Sequence, residues 1–255
     1  VAAWPAETND SILNRVAAQV VARVIPVFLP AGEQAAAEEA VAGAAAGLLA
    51  EPPTPSARLI AARALAQVTH DERLLRRWLE GSGLPEGLGE DSDFRWLVVR
   101  ALARLGAMEA EEIERYRAID DSLAGQQAAL SALAIRPTPE AKDWAWRQLT
   151  TNPERSNYDL NALASAFWAA PDLTLVRPYA ARFFTDIPAL AARVGEDALG
   201  TVASLAYPLR VVELATLALS EAALADNRLT PAVARSIVDA QSKLAEALAS
   251  RAVFG

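Results

Sequence analysis

Asp91-Ser92-Asp93-Phe94-Arg95-Trp96-Leu97-Val98-Val99-Arg100-Ala101-Leu102-Ala103-Arg104-Leu105-Gly106 is the stretch on which the fold turns. Phe94, Leu97, Val98, Ala101, Leu102 and Leu105 recur at spacings of three and four, which is one stripe of a helix with a 3.6-residue period. Asp91, Ser92 and Asp93 offer acceptors to the free N–H groups of the first turn, and their charge suits the positive end of the helix dipole. Gly106 supplies the left-handed residue that ends such a helix. Trp96, Val99 and Ala103 add apolar surface beyond the stripe, so the helix should be sandwiched between neighbours.

The surrounding chain has the size and composition to supply those neighbours. Its 255 residues, 53% of them hydrophobic, suffice to bury a sizeable core. A net charge of −8 opposes binding to a polyphosphate or an anionic bilayer, so neither nucleic acid nor membrane is an expected partner. The absence of cysteine excludes disulfides and thiolate metal sites. The most apolar run, residues 16–29, is interrupted by Gln19, Arg23 and Pro26 and reads as too short to span a bilayer. No basic residue occurs in positions 1–10, so no secretion signal is expected, and the compartment expected is the cytoplasm. The missing initiator methionine and the apolar start, Val1-Ala2-Ala3-Trp4-Pro5, suggest a piece of a longer chain.

Taken in order, the chain is a series of punctuated helices. A helix start is expected at Thr8–Asp10, followed by a stripe from Ile12 to Phe28 that Pro26 should bend or end. Residues 33–50 are alanine-rich and helical by propensity, closed by Pro52-Pro53. Thr54-Pro55, Thr138-Pro139 and Thr230-Pro231 each pair a capping side chain with proline at the first helical position. Helices are expected over 58–68, 71–79, 109–119, 122–135, 140–150, 157–169, 173–185, 189–205, 209–224 and 231–252. Gly81, Gly83, Pro85, Gly87 and Gly89 make the clearest loop, a soft boundary at 81–90 within one domain spanning 1–255. No segment alternates long enough for a strand. Pro137, Pro171 and Pro208 recur at loose intervals. The expected fold is therefore all-α: an α-solenoid of antiparallel, HEAT-like helix pairs with a concave face.

Chemistry is sparse. His70 is the only histidine, so no His-Glu-x-x-His zinc site can form, and His70-Asp71-Glu72 reads as a polar turn rather than a metal corner. The glycines of 81–89 lack the lysine and the strand that a phosphate loop needs. Glu109, Glu111, Glu112 and Glu114 read as carboxylates at a helix N-terminus, and Trp144, Trp146 and Trp168 as packing between repeats. Trp96, Arg100 and Arg104 lie four apart on one helical face. A cationic strip beside an aromatic plate can grip a peptide carboxylate, so these three are the candidate substrate-binding residues; the competing reading is a solvated edge with arginine stems over tryptophan.

Several phrases resemble a known family. They are residues 75–89 with their Gly-Leu loop, Asp91-x-x-Phe94-Arg95-Trp96, Leu102-Ala103-Arg104-Leu105-Gly106, Arg136-Pro137-Thr138-Pro139-Glu140-Ala141-Lys142 before a tryptophan-bearing helix, Arg177-Pro178-Tyr179-Ala180-Ala181-Arg182-Phe183-Phe184, and Tyr207-Pro208. Together they resemble the C-terminal helical domain of actinobacterial aminopeptidases of the aminopeptidase N type, a domain shared with endoplasmic-reticulum aminopeptidases. Residues 7–29 look like an earlier helix of the same domain.

The resemblance implies a role. Members are zinc metallopeptidases that remove single residues from peptide N-termini, using His-Glu-x-x-His and a Gly-x-Met-Glu-Asn loop in a separate catalytic domain. Their helical domain closes over that domain and forms the peptide chamber. Neither motif occurs here, so no catalytic or zinc-binding residue carries over. The implied partners are a catalytic domain of the same parent chain and its peptide substrate, with zinc in the parent rather than here. The alternative is a stand-alone helical-repeat scaffold for protein binding.

Overall fold

The computed structural model describes residues 3–4, 7, 9–226 and 228–254. Among them are thirteen α-helices and no strand. The chain divides into two compact units, one running from the N-terminus through Ala107 and the other from Met108 to Val253. The Gly-rich loop 81–90 lies inside the first.

The first unit holds α1 (Asp10–Gln19), α2 (Ala31–Ala50), α3 (Pro55–Val68), α4 (Glu72–Leu79) and α5 (Ser92–Arg104). Helix α5 is built as its sequence dictates. Asp91 accepts a hydrogen bond from the Phe94 N–H at 2.8 Å, and Gly106 adopts φ +72°. The Ala107 N–H then reaches back to the Leu102 carbonyl at 2.9 Å, satisfying one of the last free acceptors. Phe94, Trp96, Val98, Val99, Leu102 and Ala103 are all buried, so the apolar surface does wrap beyond one stripe. Helix α5 packs on α3 and α4, and α3 in turn on α1 and α2.

The start of this unit departs from expectation. Thr8 lies outside the described residues; Asn9 caps α1 through bonds from the Ser11 and Ile12 N–H groups. Pro26 does not end the helix where it stands. The backbone widens instead into a π-helical stretch, Val20–Phe28, that carries Pro26 inside it, buried, and closes with the Leu29 N–H on the Val24 carbonyl. A widened turn accommodates a residue that lacks an N–H and crowds the preceding turn. The result is a continuous helical run, Asp10–Phe28, of 19 residues, long and apolar enough by length and composition to cross a bilayer, which corrects the reading of this segment as too short. Its contacts in the structure are with α2 and α3.

The second unit holds α6 (Ala110–Ile119), α7 (Leu123–Ile135), α8 (Pro139–Thr150), α9 (Asn157–Phe167), α10 (Tyr179–Ala189), α11 (Glu196–Ala206), α12 (Leu214–Ala225) and α13 (Pro231–Phe254). Alternate helices stack: α7 on α9, α9 on α11, and α10 on α12. Ser122 caps α7 and Ser156 closes a reciprocal capping box with Asp159 on α9. Of the Thr-Pro pairs, Thr54 and Thr138 cap through the Ala57 and Ala141 N–H groups, whereas the Thr230 hydroxyl is buried without a hydrogen-bond partner. Two boundaries also shift. Pro188 sits inside α10, which begins only at Tyr179 after the short 3-10 turn Leu173–Leu175, and residues 209–213 form turns rather than the first turn of α12.

Candidate functional site

Trp96, Arg100 and Arg104 project from α5, and burial treats them unequally. Trp96 is 7% exposed and belongs to the core. Arg100 and Arg104 are half-buried. Burial lowers the pKa of Arg100, and among the described residues no hydrogen bond or ion pair reaches its guanidinium. Arg104 is lowered by the same cause, partly offset by the Glu38 carboxylate; its Nη2 donates to the Thr69 carbonyl at 3.2 Å while its Nε is buried with no partner. Two partly desolvated cations one turn apart, short of acceptors, are an arrangement that an incoming carboxylate would satisfy. Trp96, buried in the core, does not stand beside them as an exposed aromatic plate.

The other sequence candidates are structural. His70 stands in the turn between α3 and α4 with Nε2 3.0 Å from Glu38 Oε2. Among the described residues no three His, Asp or Glu side chains gather as a metal site. Glu109 and Glu114 are engaged by Arg136 and Arg117. Trp146 and Trp168 are buried, meet Phe167 in tilted and edge-on contacts, and donate their indole N–H groups to Asp186 and the Ala206 carbonyl.

Two features escaped the sequence reading. Trp144 does not join that cluster but forms, with Leu130 and Leu133, part of the lining of a cavity of about 290 Å³ in the second unit, rimmed by Arg155 and Asp159. Lys142 is fully buried, donating to the Ala134 carbonyl at 2.6 Å and to the Phe167 carbonyl at 3.0 Å. Burial, reinforced by the nearby Arg210 charge, lowers its pKa to about 7. Nothing in Glu140-Ala141-Lys142, a polar first turn, signals such burial.

Among the described residues the fold is all-helical, with no strand and no cluster of three metal-ligating side chains. The chain belongs to the ERAP1-like C-terminal domain family, whose match covers residues 6–246. It is 29% identical to Aminopeptidase N of Streptomyces lividans over 189 residues, 74% of this chain but 22% of that protein. The chain thus matches less than a quarter of its relative's length.

Proposed function

We propose that this chain is the non-catalytic C-terminal domain of a zinc aminopeptidase that removes N-terminal residues from peptides. Its helix pairs form a HEAT-like wall that closes over the catalytic domain, with a concave side toward the peptide chamber. The observation that carries this reading is the match to Aminopeptidase N, which takes in three quarters of this chain and about a fifth of the relative. Zinc and the catalytic acid–base groups belong to the remainder of such a protein, consistent with the lack of a ligand cluster among the described residues.

Within this reading Arg100 and Arg104 receive a carboxylate of the peptide. Among the described residues neither forms an ion pair at salt-bridge distance, although Glu38 acts on Arg104 from farther off, and an incoming carboxylate would give each guanidinium a charged acceptor. The test compares the purified domain with the longer protein that contains it. The domain alone should turn over no aminoacyl reporter and hold no stoichiometric zinc, and the longer protein should hydrolyse the reporter in a zinc-dependent way. Zinc-dependent turnover by the domain alone would overturn the proposal.

A further inference from the structure

The cavity of about 290 Å³ between α6, α7, α8 and the start of α9 combines an apolar wall with charges held apart. Leu130 and Leu133 of α7 and Trp144 of α8 supply the wall. Trp146 and Trp168 spend their indole N–H groups on protein acceptors, whereas Trp144 is half-buried and among the described residues no acceptor meets its N–H. Two cations and two anions complete the lining. Arg117 and Glu114 satisfy one another as an ion pair. Arg155 and Asp159 do not. Arg155 donates from Nε and Nη2 to Gln148 Oε1 at 2.9 and 2.7 Å, and the same oxygen accepts from Asn152 Nδ2 at 2.8 Å. That neutral amide fixes the guanidinium and leaves its Nη1 free to donate. Asp159 Oδ2 accepts from the Ser156 N–H at 3.0 Å within the capping box, which leaves its other oxygen free to accept. Each charge is thus positioned by a neutral group, and neither is neutralised by an ion pair among the described residues.

We infer that this cavity binds a free α-amino acid with an aliphatic or aromatic side chain. The ligand carboxylate meets Arg155, its ammonium meets Asp159, and its side chain lies against Trp144 and the two leucines. Charge selects a zwitterion. A lone anion would face the carboxylates of Glu114 and Asp159, and a lone cation would face two guanidiniums, so either one meets a like charge that the zwitterion can turn away from. A peptide end carries one of the two charges and leaves Arg155 or Asp159 without a partner. Size agrees, because sites for drug-sized ligands start at about 300 Å³ and this cavity lies just below that, which suits a single residue rather than a nucleotide or a peptide. The site lies in the second unit and shares no residue with the Arg100 and Arg104 pair of the first. It stands on its own side chains and does not depend on the enzyme role proposed above.

The test is a titration of the 255-residue chain followed by NMR through the indole N–H signals of its six tryptophans, with Trp144→Phe assigning the one that matters. L-leucine, glycine, leucinamide and N-acetyl-leucine are added to about 10 mM, a span that covers the roughly millimolar affinity expected of so few ligand atoms. Leucine should move the Trp144 signal saturably while the buried Trp146 and Trp168 signals hold still. Glycine lacks the side chain, leucinamide the carboxylate and N-acetyl-leucine the ammonium, so each should need at least tenfold more ligand for the same shift. Arg155→Gln should weaken leucine by at least tenfold and leave leucinamide unchanged, and the same spectrum reports whether the variant is folded. The comparison among the four ligands needs no variant. No Trp144 shift with leucine would overturn the inference. N-acetyl-leucine binding as well as leucine would also overturn it, assigning the cavity to a peptide C-terminus, and leucinamide matching leucine would do the same in favour of a peptide N-terminus.

Discussion

Lys142 donates from Nζ to the carbonyl oxygen of Ala134 at 2.6 Å, in the last turn of α7, and so ties one helix end to the start of α8. With its second bond to Phe167 at the end of α9, the amine closes two helix C-termini. A neutral amine has two N–H donors and here finds two acceptors, so loss of the third proton leaves the clamp intact.

That geometry has a pH signature. The folded-state pKa of about 7 lies below the value of ~10.4 for an exposed lysine. Between these values the unfolded chain binds more protons, so the contribution of Lys142 to stability rises with pH through this window and is flat below it. The difference in Tm between the parent domain and Lys142→Met, recorded from pH 6 to pH 9.5, should grow in favour of the parent above pH 7. A difference independent of pH would show that Lys142 is not desolvated.

Gly125 and Gly43 should respond to alanine in opposite directions. A Cβ on Gly125 would stand 2.4 Å from the Asp120 carbonyl oxygen and 2.6 Å from its Cγ, a clash with backbone that cannot swing away. Gly125→Ala should cost about 1–3 kcal/mol. Gly43 lies exposed within α2 with nothing near its missing Cβ, so Gly43→Ala should stabilise by roughly 0.5–1 kcal/mol. Urea unfolding of both variants checks the pair.

Asp91 serves α5 twice, as its N-cap and as the partner of Arg63. Asp91→Ala should cost about 1 kcal/mol from the cap. Asp91→Asn keeps the acceptor but loses the charge, and should cost less because the ion pair is partly exposed. If both substitutions lower the urea midpoint equally, the cap is not what holds the helix start.

Replacing an unpaired, partly desolvated guanidinium by a similar apolar chain removes a penalty, so Arg100→Met should leave the Tm of the domain unchanged or raise it. In the longer protein the same change should raise KM for peptides with a free C-terminal carboxylate and spare those ending in an amide. Equal effects on both peptides would remove Arg100 from carboxylate recognition.

Sequence proved most legible where local chemistry decides. Asp91 and Gly106 bracket α5, and Thr54 and Thr138 cap their helices through bonds their spacing calls for. It failed where tertiary packing overrides a local signal. Pro26 and Pro188 stay inside helices, and Thr230 has the same Thr-Pro pattern yet its buried hydroxyl finds no donor or acceptor. The arginine pair was visible as a spacing on one helix, but its surroundings depend on what α2 and the α3–α4 turn bring alongside, where Glu38 acts on Arg104 and the Thr69 carbonyl accepts from it. Lys142 and Trp144 look alike in sequence, polar-flanked positions on one helix. Only the ends of α7 and α9 bury the first, and only the open space over Leu130 and Leu133 leaves the second lining a cavity.

The central claim is that this domain shapes and holds substrate for chemistry performed elsewhere in a longer protein. Its most direct test is the hydrolysis of aminoacyl reporters and oligopeptides by that protein with and without residues 1–255, at matched zinc loading. The account predicts that the 255-residue domain alone is inactive and that its removal raises KM for oligopeptides more than for single-residue reporters. Unchanged oligopeptide kinetics without the domain, or hydrolysis by the domain alone, would contradict it.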